Sequence, residues 1–295
     1  MEESHEVKRN WHDRKYKMFL LIPVILILFS VVYMVSFYNS HGDFSLKDIS
    51  LTGGTSVTVY EKTNLEDLRE GLSGKLEELN VREISDLLTK EQKAVIIETT
   101  SDGDITRTAV EEYFGFKLTE DNSSFEFTGS VLSESFYRQL LIAIAIAFLF
   151  MAIVVFIIFR NLVPSAAVII SAFADIFMTL TLINILGIKL SSGGIVALLM
   201  LIGYSVDTDI LLTNRVLKRR EGTLNDRILA SFKTGITMTL TSIAAVGISL
   251  IIVSPFSGIL SQIFTILLIG LFFDIFNTWV TNVSLLKWYM EAKNK

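Results

Sequence analysis

Hydrophobic residues along this chain fall into six long blocks that are separated by polar segments. Each block holds about twenty residues, the length that an α-helix rising about 1.5 Å per residue needs to cross the hydrocarbon core of a bilayer. The blocks therefore predict six membrane-spanning helices, which we call spans 1 to 6. They are predicted over residues 18–38, 140–159, 163–186, 193–212, 234–253 and 259–286.

The one long polar segment, residues 39–137, lies between spans 1 and 2 and shows other patterns. Apolar positions that alternate predict strands, and apolar positions every three to four residues predict amphipathic helices. The predicted elements are a strand at 52–60, a helix at 64–80, strands at 81–89 and 93–100, a helix at 104–115 and a strand at 123–132. This β-α-β-β-α-β order predicts a ferredoxin-like α+β domain attached to an all-α bundle of six membrane helices.

Composition agrees with a membrane protein and argues against enzyme chemistry. The chain is 51% hydrophobic with a mean hydropathy of +0.52. It has no cysteine, which excludes disulfides and thiolate metal sites. The histidines His5, His12 and His41 lie outside the predicted spans, and no Gly-x4-Gly-Lys phosphate loop occurs. We therefore expect no enzymatic activity, no metal and no cofactor.

The positions of Lys and Arg predict the orientation of the chain in the cell membrane. The leader 1–17, the link 213–233 and the tail 287–295 are basic, so both termini are expected in the cytoplasm, with span 1 kept as an anchor. The segment 39–137 is then extracytoplasmic, and its twenty Asp and Glu against nine Lys and Arg are unsuited to nucleic acid. The basic link is expected to fix topology at membrane lipid headgroups, with a ribosome or a partner loop as alternative contacts.

Four aspartates fall inside the predicted spans, where a charged side chain costs at least a few kcal/mol. Asp175 and Asp274 lie at the centres of spans 3 and 6, and Asp207 and Asp209 lie toward the cytoplasmic third of span 4. Two helical steps turn the chain by about 200°, so Asp207 and Asp209 point to nearly opposite sides and cannot share one constellation. We expect Asp207 to be functional, and we expect Asp209, deeper toward the cytoplasm, to be a packing group that is satisfied at the membrane interface.

Two roles are open to these carboxyl groups. A carboxyl that loses and regains a proton inside the membrane is what a proton-coupled transporter requires. The alternative is a packing group that fixes helix register through hydrogen bonds. Asp175 and Asp274 fit both roles. The polar side chains that could serve them as hydrogen-bond partners are Asn184, Thr208, Thr237, Thr239, Thr241, Ser242, Asn277 and Thr278.

Three stretches of the sequence resemble parts of one known family. "SLTGGTSVTVY" (50–60) is similar to the strand that follows span 1 in that family, with Gly53 and Gly54 at its entrance. "TGSVLSESFYRQLL" (128–141) is similar to the family's run into span 2. "ADIFMTLTLINILGIKLSSGGIVALLMLIGYSVDTDILLTNRV" (174–216) resembles its span 3–4 signature. The family is SecF, the smaller partner of SecD in the Sec protein-export machinery, and the resemblance covers almost the whole chain and is closest to the archaeal branch.

The resemblance also assigns individual positions. Within the span 3–4 signature it implies that Gly203, Tyr204, Ser205 and Arg215 are family-motif residues, alongside the aspartate of span 3. Thr237 stands where bacterial SecF has an Arg that works with an Asp in proton transfer, which makes Thr237 a further candidate for a polar relay position.

The resemblance implies one six-span half of an assembly of the RND superfamily, joined by a SecD subunit of the same topology. Such a pair assists the Sec translocation channel and the translocating polypeptide in late steps of export, with an exterior domain that moves in response to proton flow. Two alternatives stay open. One is a small-solute or lipid exporter subunit of the RND group, and the other is a purely structural partner whose aspartates only hold it to SecD.

Overall fold

Six helices in the described part of the chain are long and apolar enough to cross a membrane. The structure, a computed structural model, describes residues 20–85, 89, 91–218, 222–254 and 257–293. The six-span prediction is confirmed, while the predicted leader and part of the predicted strand 81–89 lie outside the described residues. Spans 1 to 5 are Leu21–His41, Ser130–Phe159, Leu162–Ile185, Ser192–Lys218 and Leu224–Val253; span 6 consists of Gly258–Phe276, a π-helical stretch Asn277–Asn282, and Val283–Lys293.

Several spans are longer than their hydrophobic blocks. Span 2 begins at Ser130, ten residues before the predicted start, and span 5 begins at Leu224 behind a capping box between Thr223 and Asp226. A hydrophobic block marks only the part of a helix that lies in hydrocarbon, whereas capped polar turns extend the same helix into the headgroup region and water.

Between spans 1 and 2 the chain folds into a small α+β domain, residues 49–128. Its strands are β1 Gly54–Val59, β2 Asn80–Ser85, β3 Gln92–Thr99 and β4 Ser123–Thr128. They form one antiparallel sheet with the strand order β2-β3-β1-β4. The helices are Ile49–Thr52, Leu65–Ser73 and Gly103–Phe114. The helix predicted over 64–80 ends at Ser73, one residue before Gly74.

Alternation along the strands gives the sheet one apolar face, which the two longer helices cover. The core of the domain consists of Val57, Val59, Leu68, Leu72, Leu76, Val81, Val95, Ile97, Ala109, Val110 and Leu118. The two helices approach closely at Gly71, where a Cβ would lie 2.6 Å from the ring of Tyr113. On the other face, Arg82 and Glu98 line a pocket together with the loop between spans 3 and 4 and the start of span 6, so this face is directed toward the membrane helices.

The α+β domain is attached to the bundle through the segment that follows span 1. Asn184, at the end of span 3, donates a 2.8 Å hydrogen bond to the Phe44 carbonyl and accepts one of 2.8 Å from the Ser45 hydroxyl. The backbone N–H of Asp48 then donates to the Leu190 carbonyl at 2.9 Å. These hydrogen bonds join the linker to the end of span 3 and to the loop between spans 3 and 4, and they fix the position of the domain on the bundle.

The bundle is built around spans 3, 4 and 6. Spans 3 and 4 bury more than half of their apolar stretches, whereas spans 2 and 5 leave almost all of theirs uncovered. Spans 4 and 6 come close at Gly270, where a Cβ would lie 2.5 Å from the side chain of Leu201. The interior of the bundle therefore lies between these three helices, and the faces of spans 2 and 5 are left for lipid or for another subunit.

Candidate functional site

Three intramembrane carboxyl groups meet in the interior of the bundle. Asp175 of span 3, Asp209 of span 4 and Asp274 of span 6 are 0%, 0% and 1% exposed. They are connected through short polar side chains on the same three spans, and we call this group the carboxylate cluster. Among the described residues, no group of three or more His, Cys, Asp and Glu is arranged to hold a metal ion.

Asp175 has a donor for each of its carboxyl oxygens. The Ser205 hydroxyl of span 4 donates to Oδ2 at 2.5 Å, and the Asn277 amide of span 6 donates to Oδ1 at 2.7 Å. Asn277 in turn accepts a hydrogen bond of 3.1 Å from Thr281 one turn later. Asp175 thus ties span 3 to both of its neighbours through neutral donors.

Asp209 accepts two hydrogen bonds from span 6. Its Oδ1 accepts hydrogen bonds from the Thr278 hydroxyl at 2.9 Å and from the Asn282 amide at 2.7 Å. The expectation that Asp209 is satisfied at the membrane interface is wrong, because span 4 turns this side chain into the bundle. These two hydrogen bonds, both to Oδ1, offset part of the cost of removing the carboxyl group from water, while the buried Oδ2 has no hydrogen-bond partner among the described residues.

Asp274 has one long hydrogen-bond contact at each of its carboxyl oxygens. Its oxygens lie 3.3 Å from the hydroxyls of Thr278 and Thr208. Each hydroxyl has a single proton, and Thr278 already has a nearer acceptor in Asp209 while Thr208 also faces backbone carbonyls of its own helix. If Asp274 carries a proton, its carboxyl group can donate to the Thr278 oxygen and still accept from the Thr208 hydroxyl, so that both contacts are hydrogen bonds. The geometry therefore accommodates one proton within the cluster.

The π-helical stretch of span 6, Asn277–Asn282, supplies most of these donors. Such stretches are rare and occur frequently at functional sites, because they shift the face that the following residues present. Here Asn277, Thr278, Thr281 and Asn282 are all buried against spans 3 and 4. Four polar residues inside the bundle are costly unless they have partners. Asn277, Thr278 and Asn282 bond to the aspartates, and Thr281 bonds to Asn277.

Asp207 and Thr237 lie away from the cluster. Asp207 is exposed on the face of span 4 that it shares with Gly203 and Tyr204. Thr237 is exposed on span 5, where its hydroxyl donates to the Lys233 carbonyl at 2.8 Å. The structure thus places Asp175 and Asp274 together as interior residues, adds Asp209, and leaves Asp207 and Thr237 outside.

The family-motif residues divide in the same way. Ser205 belongs to the cluster, whereas Gly203 and Tyr204 lie on the exposed face. Arg215, near the far end of span 4, donates to the Ala230 carbonyl at 2.6 Å and to Thr234 at 3.0 Å, which joins spans 4 and 5.

The glycine pair lies in the α+β domain. Gly53 caps the short helix Ile49–Thr52 with a φ of 82°. Gly54 has a φ of 149°, and a Cβ there would lie 2.3 Å from the Thr99 carbonyl, so only glycine fits the start of β1.

Thr281 and Asn282 belong to the cluster but are not among the polar side chains named from the sequence. Asn282 lies four residues after Thr278, and Thr281 lies four residues after Asn277, both of which are named there. The spacing was the available signal, since residues four apart share a helix face.

Comparisons with known proteins agree on one family. The family model for the protein export membrane protein SecD/SecF, C-terminal, matches residues 109–292. The protein-export membrane protein SecF of Methanocaldococcus jannaschii is 40% identical over 284 residues, covering 94% of this chain and 96% of its own. That of Methanothermobacter thermautotrophicus is 38% identical over 288 residues, covering 95% of each.

Solved structures give the same fold. The crystal structure of SecDF, a translocon-associated membrane protein from Thermus thermophilus, aligns with a TM-score of 0.71 at 17% identity, over 96% of this chain and 38% of that chain. SecDF in its super-membrane-facing form aligns with a TM-score of 0.58 at 17% identity, over 95% and 39%. At this identity the likeness concerns the fold alone.

Proposed function

This chain belongs to the SecF family of protein-export membrane proteins, and from that premise we propose that it works as one half of a paired, proton-coupled assembly. It is an accessory subunit of protein export in the cell membrane. The partner in this proposal is SecD, and the pair acts beside the Sec translocation channel on the translocating polypeptide. The chain's contribution is mechanical and not enzymatic.

The carboxylate cluster is the observation that carries the proton-coupling proposal. Three carboxyl groups share neutral hydroxyl and amide donors, and the contacts of Asp274 are best satisfied when one proton is present. Gain or loss of that proton changes which hydroxyl donates and which accepts. Because the three aspartates lie on three different spans, each rearrangement alters the contacts that hold spans 3, 4 and 6 together. That is how a proton would change helix packing.

The exposed face of span 4 supports the partnership with SecD. Asp207 is uncovered there beside Tyr204, whose side chain is 41% exposed. A carboxyl group facing acyl chains costs at least a few kcal/mol, so this face requires a protein partner with its own polar groups. The SecDF chain is much longer than this one, which covers 38% of it. A second six-span half is the partner of the right size.

We propose the predicted orientation for the assembled pair. The basic residues Arg215, Lys218 and Arg227 lie at the end of the bundle away from the α+β domain. With that end and both termini in the cytoplasm, the α+β domain is extracytoplasmic, where an exported chain emerges. Its element order and its strand order β2-β3-β1-β4 support a ferredoxin-like sandwich.

The test uses the chain co-purified with SecD and reconstituted in lipid vesicles with an internal pH-sensitive dye. An imposed pH gradient should drive proton entry through the wild-type pair, and Asp209→Asn should reduce the rate at least tenfold while SecD is still recovered. Asp207→Asn should instead reduce the recovery of SecD. Asparagine keeps the shape of aspartate and cannot release a proton, so folding is little affected.

Two results would contradict the proposal. Unchanged proton entry in Asp209→Asn would leave the cluster a purely structural device. Full recovery of SecD with both Asp207→Asn and Asp207→Leu would show that the partner does not cover this face. Protein export by the same vesicles, supplied with the translocation channel and a secretory precursor, should fall together with proton entry.

A further inference from the structure

An apolar groove lies between spans 1, 2 and 3 on the side of the bundle nearest the α+β domain. Its volume is about 480 Å³, within the range of roughly 300–1,000 Å³ that is usual for small-molecule sites. The lining comes from four spans and from the linker after span 1, and its members include Met34, Leu141, Phe148, Phe173, Phe177 and Leu198. Spans 1 and 2 each pack against span 3, and the groove is the space left between them.

The lining offers no free polar group to a ligand. Its two polar side chains are Ser45 and Tyr137. The Ser45 hydroxyl donates to Asn184 at 2.8 Å, and the Tyr137 hydroxyl donates to Asp43 at 2.5 Å. The remaining lining is aliphatic or aromatic. An occupant of the groove is therefore selected by shape and by apolar contact alone.

The depth of the groove matches one leaflet of the membrane. Along span 3 the lining runs from Phe173, at the middle of the helix, to Leu180, near the end that leads to the α+β domain. Seven residues of helix cover about 10 Å, and half of the hydrocarbon core is about 15 Å. The medium at this depth is hydrocarbon.

The groove is open along its side and has a polar rim at its end. Phe173 is 37% exposed and Ala145 is exposed, so acyl chains reach the groove from the bilayer. At the rim, Lys47 lies 2.8 Å from Asp43 and 4.9 Å from the centre of the Tyr137 ring. A tyrosine with a lysine beside it is typical of the headgroup level.

The rim carries a balanced pair of charges. Burial disfavours ionisation of Asp43, but hydrogen bonds from Lys47, Tyr137 and the Phe44 backbone N–H hold the pKa of this carboxyl below its usual range. Asp43 is therefore ionised at neutral pH and compensates Lys47. A neutral ion pair gives little preference for an anionic headgroup over a zwitterionic one.

We propose that this groove binds one hydrocarbon chain of a membrane lipid from the leaflet on the side of the α+β domain. The chain fills the space between spans 1 and 2 and reaches Phe148 and Phe173 at the middle of the membrane. The headgroup of the lipid lies at the rim formed by Asp43, Lys47 and Tyr137. The lipid thereby supports span 1, whose end carries the linker to the α+β domain.

The test uses the full chain, purified with SecD, in nanodiscs of phosphatidylcholine that contain a small fraction of phosphatidylcholine with a photoactivatable diazirine in one acyl chain. After illumination, labelled residues are located by peptide mass spectrometry. We expect labels to concentrate on Leu141, Phe148, Phe173 and Phe177. Ala145→Trp, which fills the open side of the groove, should reduce labelling of these residues at least fivefold.

The matched control is Ile146→Trp, which introduces the same side chain one residue away at a position that is 47% exposed and outside the lining. It should leave groove labelling unchanged. Replacing half of the phosphatidylcholine by phosphatidylglycerol should also change it by less than twofold. Labels spread evenly over the exposed faces of spans 1 and 2, or equal labelling in both Trp variants, would overturn the proposal. So would efficient groove labelling by a diazirine-bearing secretory precursor at the expense of the lipid.

Discussion

The two faces of span 4 carry the same chemical group in opposite settings. On the inner face, Asp209 is fully buried and accepts hydrogen bonds from Thr278 and Asn282. On the outer face, Asp207 is exposed and has no hydrogen bond or ion pair within the described part of the chain. The inner carboxyl group finds hydrogen-bond donors within one subunit, whereas the outer one is, in the function proposed above, left for the partner subunit.

The difference shows how a helix can serve a bundle and an interface at once. Little more than half a helical turn separates the two environments, because two residues rotate the side chain by about 200°. On the inner face, short polar side chains and close helix contacts hold span 4 against its neighbours. On the outer face, a Cβ at Gly203 would meet no other atom within 4 Å. Substitutions that are matched across span 4 should therefore have unequal effects.

The largest contrast is expected between the two aspartates. Asp209→Leu leaves the Thr278 hydroxyl and the Asn282 amide without their buried acceptor and should destabilise the chain by about 3 kcal/mol. Asp207→Leu should be neutral or slightly stabilising in the isolated chain, because it removes an exposed carboxyl from the membrane. Unfolding by titration with sodium dodecyl sulfate in mixed micelles measures both. Equal losses would remove the distinction between the faces.

A second contrast uses two glycines. Gly270→Ala places a Cβ 2.5 Å from Leu201, at the contact of spans 4 and 6, and should cost about 2 kcal/mol. Gly203→Ala meets nothing within 4 Å on the outer face and should change the stability of the isolated chain by less than about 0.5 kcal/mol. The same titration decides, and a stable Gly270→Ala variant would mean that spans 4 and 6 have room to separate.

The smallest contrast concerns two threonines. Thr278→Val removes the hydroxyl that lies between Asp209 and Asp274 while keeping the shape, and we expect a loss of about 1 kcal/mol. Thr237→Val removes only a hydroxyl bonded within its own exposed helix, so we expect no measurable change. If both variants unfold at the wild-type detergent concentration, the hydroxyl of Thr278 does not stabilise the cluster.

Much of the architecture could be read from local pattern. Block length predicted the six spans, because crossing hydrocarbon imposes a minimum run of apolar residues. The spacing of apolar residues and the positions of glycines predicted the order of strands and helices in the α+β domain. The helix predicted over 64–80 nevertheless ends early, before Gly74. Helix ends outside hydrocarbon were misplaced, since hydropathy gives no signal where a helix continues into a polar region.

What the sequence by itself determined was that Asp175, Asp207, Asp209 and Asp274 enter the membrane, and that Asp207 and Asp209 face apart. Both follow from composition and from the fixed pitch of a helix. Only the tertiary structure decided which of the two turns inward. The rotation of span 4 about its own axis is set by its packing against spans 3 and 6. This packing depends on all three helices together, so it cannot be predicted from the sequence of any one of them.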